Sequence, residues 1–435
     1  MLADKLKFGL IFVAVAAIMS CSKKEIPEGT RISVLPVEKS AEKEIAAGEE
    51  KISLPATKHN LNWSQNGGNT EHSYGNLYGE FPLEFVWQKD FGASAGKRDM
   101  LISEPVVFEN TIFTVDANAK VSAFRLENGD LLWEAKVLSH KDKKSKSSLK
   151  ASGLAANAGK LFVTTGNGEV VALNVKDGKE FWRYDAQTPI RIAPTASSGK
   201  VFVQTIDNKL IAINAANGQE VWNYEVMQED TTLLGGASPA FDNNQDILIA
   251  AFSSGELQAI KASTGSPLWS GVLVSNRYVA AQSSIMAIKA NPVIEGERVY
   301  AIGNSKTLAA INSVTGERIW DKPISGSYQP IVSGKYLFVL SNNNYLSALR
   351  KSDGYTIWSI KLDLGENNGL YALRPLLIDG YLLVTISDGR IFKVDVTDGK
   401  IYDIFDLRED FSIAPIIADG NLIFTTSNAK FMIYR

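Results

Sequence analysis

Residues 210–226 read LIAINAANGQEVWNYEV: an alternating apolar run, the pair Asn217-Gly218, and a tryptophan four residues after the glycine. Five close variants of this phrase occur elsewhere, as Gly129/Trp133, Gly178/Trp182, Gly265/Trp269, Gly316/Trp320 and Gly354/Trp358. A seventh, DGKIYD, keeps Gly399 but carries Asp403 where the tryptophan should stand. Six residues before each of the first six glycines is an alanine (Ala123, Ala172, Ala212, Ala259, Ala310, Ala348), and Lys393 replaces it in the seventh. From Gly129 to Gly399 there are six steps over 270 residues, a mean period of 45. Such a period specifies a solenoid, a propeller or an array.

Each period also opens alike. A proline starts an apolar strand, a turn follows, and a second apolar strand comes after it, as in NPVIEGERVYAIG and QPIVSGKYLFVLS. Pro105, Pro194, Pro239, Pro292, Pro330, Pro375 and Pro415 occupy this slot, and Leu154 stands there in the second period. Proline suits the first residue of a strand, where no ladder donor is lost. NG, DG and TG turns between alternating strands read as hairpins, because glycine accepts the positive φ such turns need. The unit is therefore four short antiparallel strands, which is a propeller blade. The last unit, from Pro415 to Arg435, holds only three strands, and an orphan strand, LEFVWQKDF (83–91), precedes the first. That strand is expected to complete the last blade, closing an all-β, eight-bladed propeller without exposed sheet edges at the closure. Trp87, Trp133, Trp182, Trp222, Trp269, Trp320 and Trp358 are then structural residues covering the gaps between blades. Trp63, in LNWSQNGGN, has no place in this scheme.

The N-terminus reads as an address. MLADKLKFGLIFVAVAAIMSC has Lys5 and Lys7 before an apolar stretch of twelve residues, Phe8 to Met19. That is short for a membrane span and fits a signal peptide. It ends in Ile18-Met19-Ser20-Cys21, which resembles a bacterial lipobox and makes Cys21 the lipidation site. Cys21 is the only cysteine, so no intramolecular disulfide, zinc cluster or CxxCH haem site can be written. The expected organisation is a signal peptide over 1–20, a flexible lipidated tether over 21–57 and a propeller over 58–435. The tether reading rests on charge-rich, aromatic-poor composition. Net charge is −3, which gives no global attraction to nucleic acid. His59, His72 and His140 lie in polar stretches and are expected at the surface. The loop at 139–150 carries five lysines and reads as solvated, with anionic lipid or an acidic partner as the alternative.

The spacing Ala-x-Asn-x-x-x-Gly-x-x-x-Trp, as in Ala212, Asn214, Gly218 and Trp222, resembles the repeat of the quinoprotein (PQQ-like) propellers. One branch of that family is the PQQ-dependent dehydrogenases. Their alcohol-oxidising members use a vicinal cysteine pair, and the enzymes need a calcium site. The propeller portion here has no cysteine. The other branch is the BamB-like lipoproteins of the outer-membrane β-barrel assembly machinery. The lipobox, the polar tether, GTRISVL (29–35) and LNWSQNGGN (61–69) resemble that branch.

The BamB-like resemblance implies a non-catalytic scaffold at the periplasmic face of the outer membrane, held there by its lipid anchor. It implies no cofactor, no metal and no catalytic residue. Its partner would be the BamA-like barrel-assembly protein, contacted through two interblade linkers. By motif, one contact falls on Leu233 and Leu234, where Leu234 replaces the family's arginine. The other falls on Ala287, Ile288 and Lys289, where the family's two carboxylates are absent. Exposed Leu233, Leu234, Ile285, Met286 and Ile288 would form an apolar patch of the kind that marks an interaction site. Addition of a nascent barrel strand to a blade's outer edge is a second mode the fold allows. The competing readings are a periplasmic propeller for another protein or a small channel ligand, and a PQQ-dependent dehydrogenase.

Overall fold

The computed structural model describes residues 51–96, 101–138, 149–226, 236–273, 287–366 and 369–435. The described residues form eight four-stranded antiparallel sheets, and seven of them run in simple chain order. The eighth is made of Ile416–Ala418, Asn421–Thr425 and Lys430–Tyr434, completed by the early strand Phe85–Asp90. This is an eight-bladed β-propeller closed by its own N-terminal strand.

The register explains the repeat's alanine. In the third blade Phe202 pairs with Ala212, and Ala212 with Trp222, so the three lie in one row across the sheet. Phe113, Ala123 and Trp133 form the same row in the first blade, and Phe162, Ala172 and Trp182 in the second. The small central residue lets the flanking rings meet above it, with centroids 5.8 Å apart for Phe162 and Trp182.

The glycine serves the neighbouring blade. Gly218 has φ +76°, and a Cβ there would stand 2.7 Å from the Trp182 ring of the preceding blade. The Trp182 indole N–H donates to the Ala215 carbonyl of the same turn at 3.1 Å. Trp133 does likewise to Val175 (2.9 Å), Trp222 to Ala262 (2.9 Å) and Trp358 to Val396 (2.7 Å). Each tryptophan is thus a latch from one blade to the next, and each glycine receives the latch from the blade before. This resolves the irregular seventh motif. Gly399 is retained because Trp358 packs on it. Asp403 is tolerated because the next blade's outer hairpin does not exist: its outer strand comes from the N-terminus. There, Lys393 points into a cluster of Phe81, Tyr381 and Tyr402, with its Nζ 3.7, 4.0 and 5.1 Å from the three ring centroids.

Trp63, unplaced by the repeat, belongs to a hub. Residues 58–79 run across the face that carries the first hairpin turn of every blade and the third hairpin turn of the first seven. Their backbone pairs with the innermost strands: Trp63 exchanges bonds with Val107, Ser64 accepts from Ala156, Thr70 from Phe241, Glu71 from Ile294, Leu77 pairs with Leu377 and Asp379, and Asn60 accepts from Asp419. The Gln65 side chain accepts from Ala196 N, and Gln329 of the sixth blade donates to the carbonyls of Gly67 and His72. All eight blades are tied. An innermost strand is a sheet edge whose polar groups need partners, and the hub supplies them.

Two expectations change here. Residues 51–57, read as the end of a flexible tether, lie against the ring: Ile52 is buried, Lys51 O accepts from the Tyr336 hydroxyl, and Pro55 packs at Gly334. His72, expected at the surface, is 1% exposed. A histidine in a polar stretch is solvated only if the stretch is, and this one crosses the ring's centre.

Candidate functional site

Beneath the hub lie the residues that precede the blade-opening prolines, Ser238, Asn291, Gln329 and Arg374 among them, all buried. They satisfy one another around the ring. Arg374 Nη2 donates to Glu104 Oε2 at 2.9 Å, with the arginine side chain 3% exposed. Asn291 donates to Gln329 Oε1 (3.0 Å) and accepts from Ser238 N (2.8 Å), while the Ser238 hydroxyl donates to the Ala193 carbonyl at 3.0 Å. A Cβ on Gly153 would stand 2.3 Å from Ala193 Cβ, so the ring is tight there too. Trp63 stacks under the Arg374 guanidinium, 5.2 Å from its centre. His72 donates from Nδ1 to the Pro292 carbonyl at 2.8 Å, which fixes that tautomer. Burial, and then the Arg374 charge, push its pKa down to about 4, so the ring is neutral near pH 7. Among the described residues no group of three His, Cys, Asp or Glu side chains could hold a metal ion. These residues hold the ring together through bonds to one another, while Arg374 Nη1, His72 Nε2 and Trp63 Nε1 have no partner.

The opposite face carries the interblade linkers and the second hairpin turn of each blade. Here, between the third and fourth blades, lies an open groove of about 480 Å³ including its mouth. Its floor is apolar: Ile192, Ala237, Ala251 and Ile288. Gln204 also lines it, donating from Nε2 to the Ala251 carbonyl at 3.2 Å and leaving Oε1 without a partner. Arg191 and Lys289, both partly exposed, stand at its edges. Among the described residues no carboxylate lines it, and Asp207 lies between the lining residues Ile206 and Asn208.

Of the residues singled out in the sequence, Ala287, Ile288 and Lys289 all line this groove. Ile288 is not exposed, as the patch reading required: it is 2% exposed and packs with Ala237, Ile249, Ala251 and Leu273. Ala287 is 3% exposed. The linker is buried there because it returns the chain from the rim to the innermost strand and must pass over the core. Of the three, Lys289 offers the most accessible side chain. Leu233, Leu234, Ile285, Met286, Cys21, His140 and the lysines of 139–148 lie outside the described residues. Arg191, Gln204 and the hub were missed. Gln204 had a signal, being an amide at a strand position where other blades place Val115, Ala251, Leu340, Thr385 or Thr425.

Residues 117–360 match the family model described as outer membrane protein assembly factor BamB. Curated relatives carry the same description. The Alteromonas naphthalenivorans protein is 29% identical over 260 residues, covering 58% of this chain and 61% of that one. The Salmonella typhimurium protein is 27% identical over 351 residues, covering 79% and 86%. The chain therefore spans less than two thirds of the Alteromonas relative. Among solved structures, BamB from Moraxella catarrhalis superposes with TM-score 0.67 at 16% identity, over 81% of this chain and 99% of that one. A europium-containing methanol dehydrogenase superposes with TM-score 0.66 at 15% identity, over 85% and 90%. At such identities these two likenesses speak for the ring alone.

Proposed function

The chain belongs to the family of the outer membrane protein assembly factor BamB, and from that premise we propose that it is a non-catalytic scaffold of an outer-membrane assembly machinery. It binds the barrel-assembly protein through the linker face, at the groove between the third and fourth blades and the adjoining linkers that include Leu233 and Leu234. It sits at the periplasmic face of the outer membrane, anchored through lipid on Cys21. A blade's outer edge offers a second contact, for a nascent barrel strand.

The observation that supports this reading is the division of labour between the two faces. One is crossed by the chain's own hub, which ties the blades together, and Glu104 with Arg374 and Ser238 with Asn291 and Gln329 bond to one another beneath it. The other keeps an apolar-floored groove, where the motif comparison had put the second partner linker. The shared ring of the dehydrogenases brings no chemistry by itself, since function lies in the site and not the fold.

Affinity purification of the tagged, full-length lipoprotein from native membranes tests the reading. The barrel-assembly protein should co-purify, and its absence would overturn the assignment. Cys21→Ser should abolish incorporation of radiolabelled palmitate; retained label would remove the anchor.

A further inference from the structure

We propose that the outer slot of the eighth blade is exchangeable: an extended segment of a partner protein, with two aromatic residues spaced as Phe85 and Trp87 are, displaces the chain's own strand Phe85–Asp90 there. The inference rests on the proposed function's second contact, at a blade's outer edge, and adds which edge and which strand. Seven sheets run in simple chain order, so a hairpin joins each of their outer strands to its neighbour, while the eighth takes its outer strand from upstream of the first blade. Five of that strand's six residues are exposed, and Trp87 is partly buried, whereas four of the other six latch tryptophans are buried. The strand is therefore held by its backbone ladder to Lys430–Tyr434 and by its two rings. Phe85 meets Tyr434 with centroids 5.6 Å apart. Trp87 meets Phe431 at 5.4 Å and donates from its indole to the Glu127 carbonyl at 3.1 Å. A ladder is indifferent to side chains, so the two rings are what the slot reads.

Release of this strand leaves the ring tied. Asp419 N donates to the Asn60 carbonyl in the hub, a second hold on the eighth blade, and the hub's bonds to the other blades do not involve residues 85–90. The ladder itself is interrupted near one end, where pairing passes from Phe85↔Tyr434 to Trp87↔Ile433 and skips Val86. A strand with few buried side chains and a broken ladder belongs to the low-stability end of a fold, where local opening occurs. Proximity opposes exchange. The chain's own strand competes at an effective concentration on the order of millimolar, so a dilute segment loses and one already held beside the ring competes on even terms. An extended segment presented to the ring by an assembly machinery meets that condition.

The test adds a biotinylated peptide, LEFVWQKDF with p-benzoylphenylalanine in place of its glutamine, to the full-length protein at about millimolar concentration. After irradiation, cross-links are expected on residues 430–434. A peptide with alanine for the valine-flanking phenylalanine and the tryptophan should cross-link at least about tenfold less. Asp90→Cys/Lys430→Cys puts cysteines at paired positions of the ladder. Oxidised, this variant should lose the capture, and reduced, it should regain it. In the unlocked protein without peptide, the ladder amides of Phe85–Asp90 should exchange hydrogen at least about tenfold faster than those of Leu131–Lys136, an outer strand held by a hairpin. Capture that survives the oxidised lock, equal capture of the alanine peptide, no capture, or equal exchange of the two strands would overturn the inference. No barrel-assembly protein enters this experiment. A failed co-purification would overturn the proposed function while leaving the slot standing.

Discussion

The two faces of this ring solve opposite problems with the same repeat. On the hub face, residues 58–79 bond to all eight blades and bury Trp63 and His72, leaving Trp63 Nε1, His72 Nε2 and Arg374 Nη1 without partners. On the linker face, the described residues between the third and fourth blades border a groove, and Gln204 Oε1 beside it is buried without a partner. On the proposed reading the hub face carries stability and the linker face carries recognition. Substitutions should separate along that line: hub variants change unfolding and leave docking intact, and linker variants do the reverse.

The largest stability effect is expected in the hub. Trp63 is fully buried, against Arg374 and Tyr74. Trp63→Ala should cost about 3–5 kcal/mol, as aromatic truncations in cores do. Chemical denaturation measures it, and a cost below about 1 kcal/mol would show that the hub is an ornament on a self-sufficient ring.

The next effect is pH-dependent. His72 titrates at its ordinary 6.5 when unfolded and at about 4 when folded. Between those values the unfolded chain holds the extra proton, so stability is full above about 6.5 and is lost as pH falls toward 4. The loss amounts to about 3 kcal/mol at the low end. His72→Gln, which keeps a donor for the Pro292 carbonyl, should flatten this part of the pH–stability curve. An unchanged slope would mean that other groups carry it.

The smallest effect belongs to the closure, where the hub runs on into the last blade. Lys393→Ala empties the ring cluster of Phe81, Tyr381 and Tyr402 and should cost about 1–2 kcal/mol. Hydrogen exchange should show the change first in residues 81–90. Faster exchange spread evenly over all blades would mean that this junction is not where the ring is closed.

The ring was legible because its signals are periodic. A glycine that must accept positive φ, a tryptophan that must reach the next blade and an alanine beneath its ring leave the same mark six or seven times. Even the exceptions carried meaning: Asp403 marks the one junction with no hairpin to latch. The hub left no such mark. Its contacts are no more than a few bonds to each of eight blades, those to the third and sixth through the Gln65 and Gln329 side chains, and nothing in LNWSQNGGN fixes which carbonyl meets which blade. His72 looked polar from its neighbours, and only the path of the chain buries it. The groove was half legible. The linker comparison pointed to 287–289, but Arg191 and Gln204 reach the same place from other blades, and no one-dimensional pattern joins them.

The most direct test sets one variant from each face side by side in the same purification from native membranes. His72→Gln should recover the barrel-assembly protein to the same extent as the unmodified protein. Leu233→Asp/Leu234→Asp should lose it while keeping its unfolding transition. Recovery of the partner with both variants, or loss with both in proportion to their stability, would contradict the assignment of recognition to the linker face.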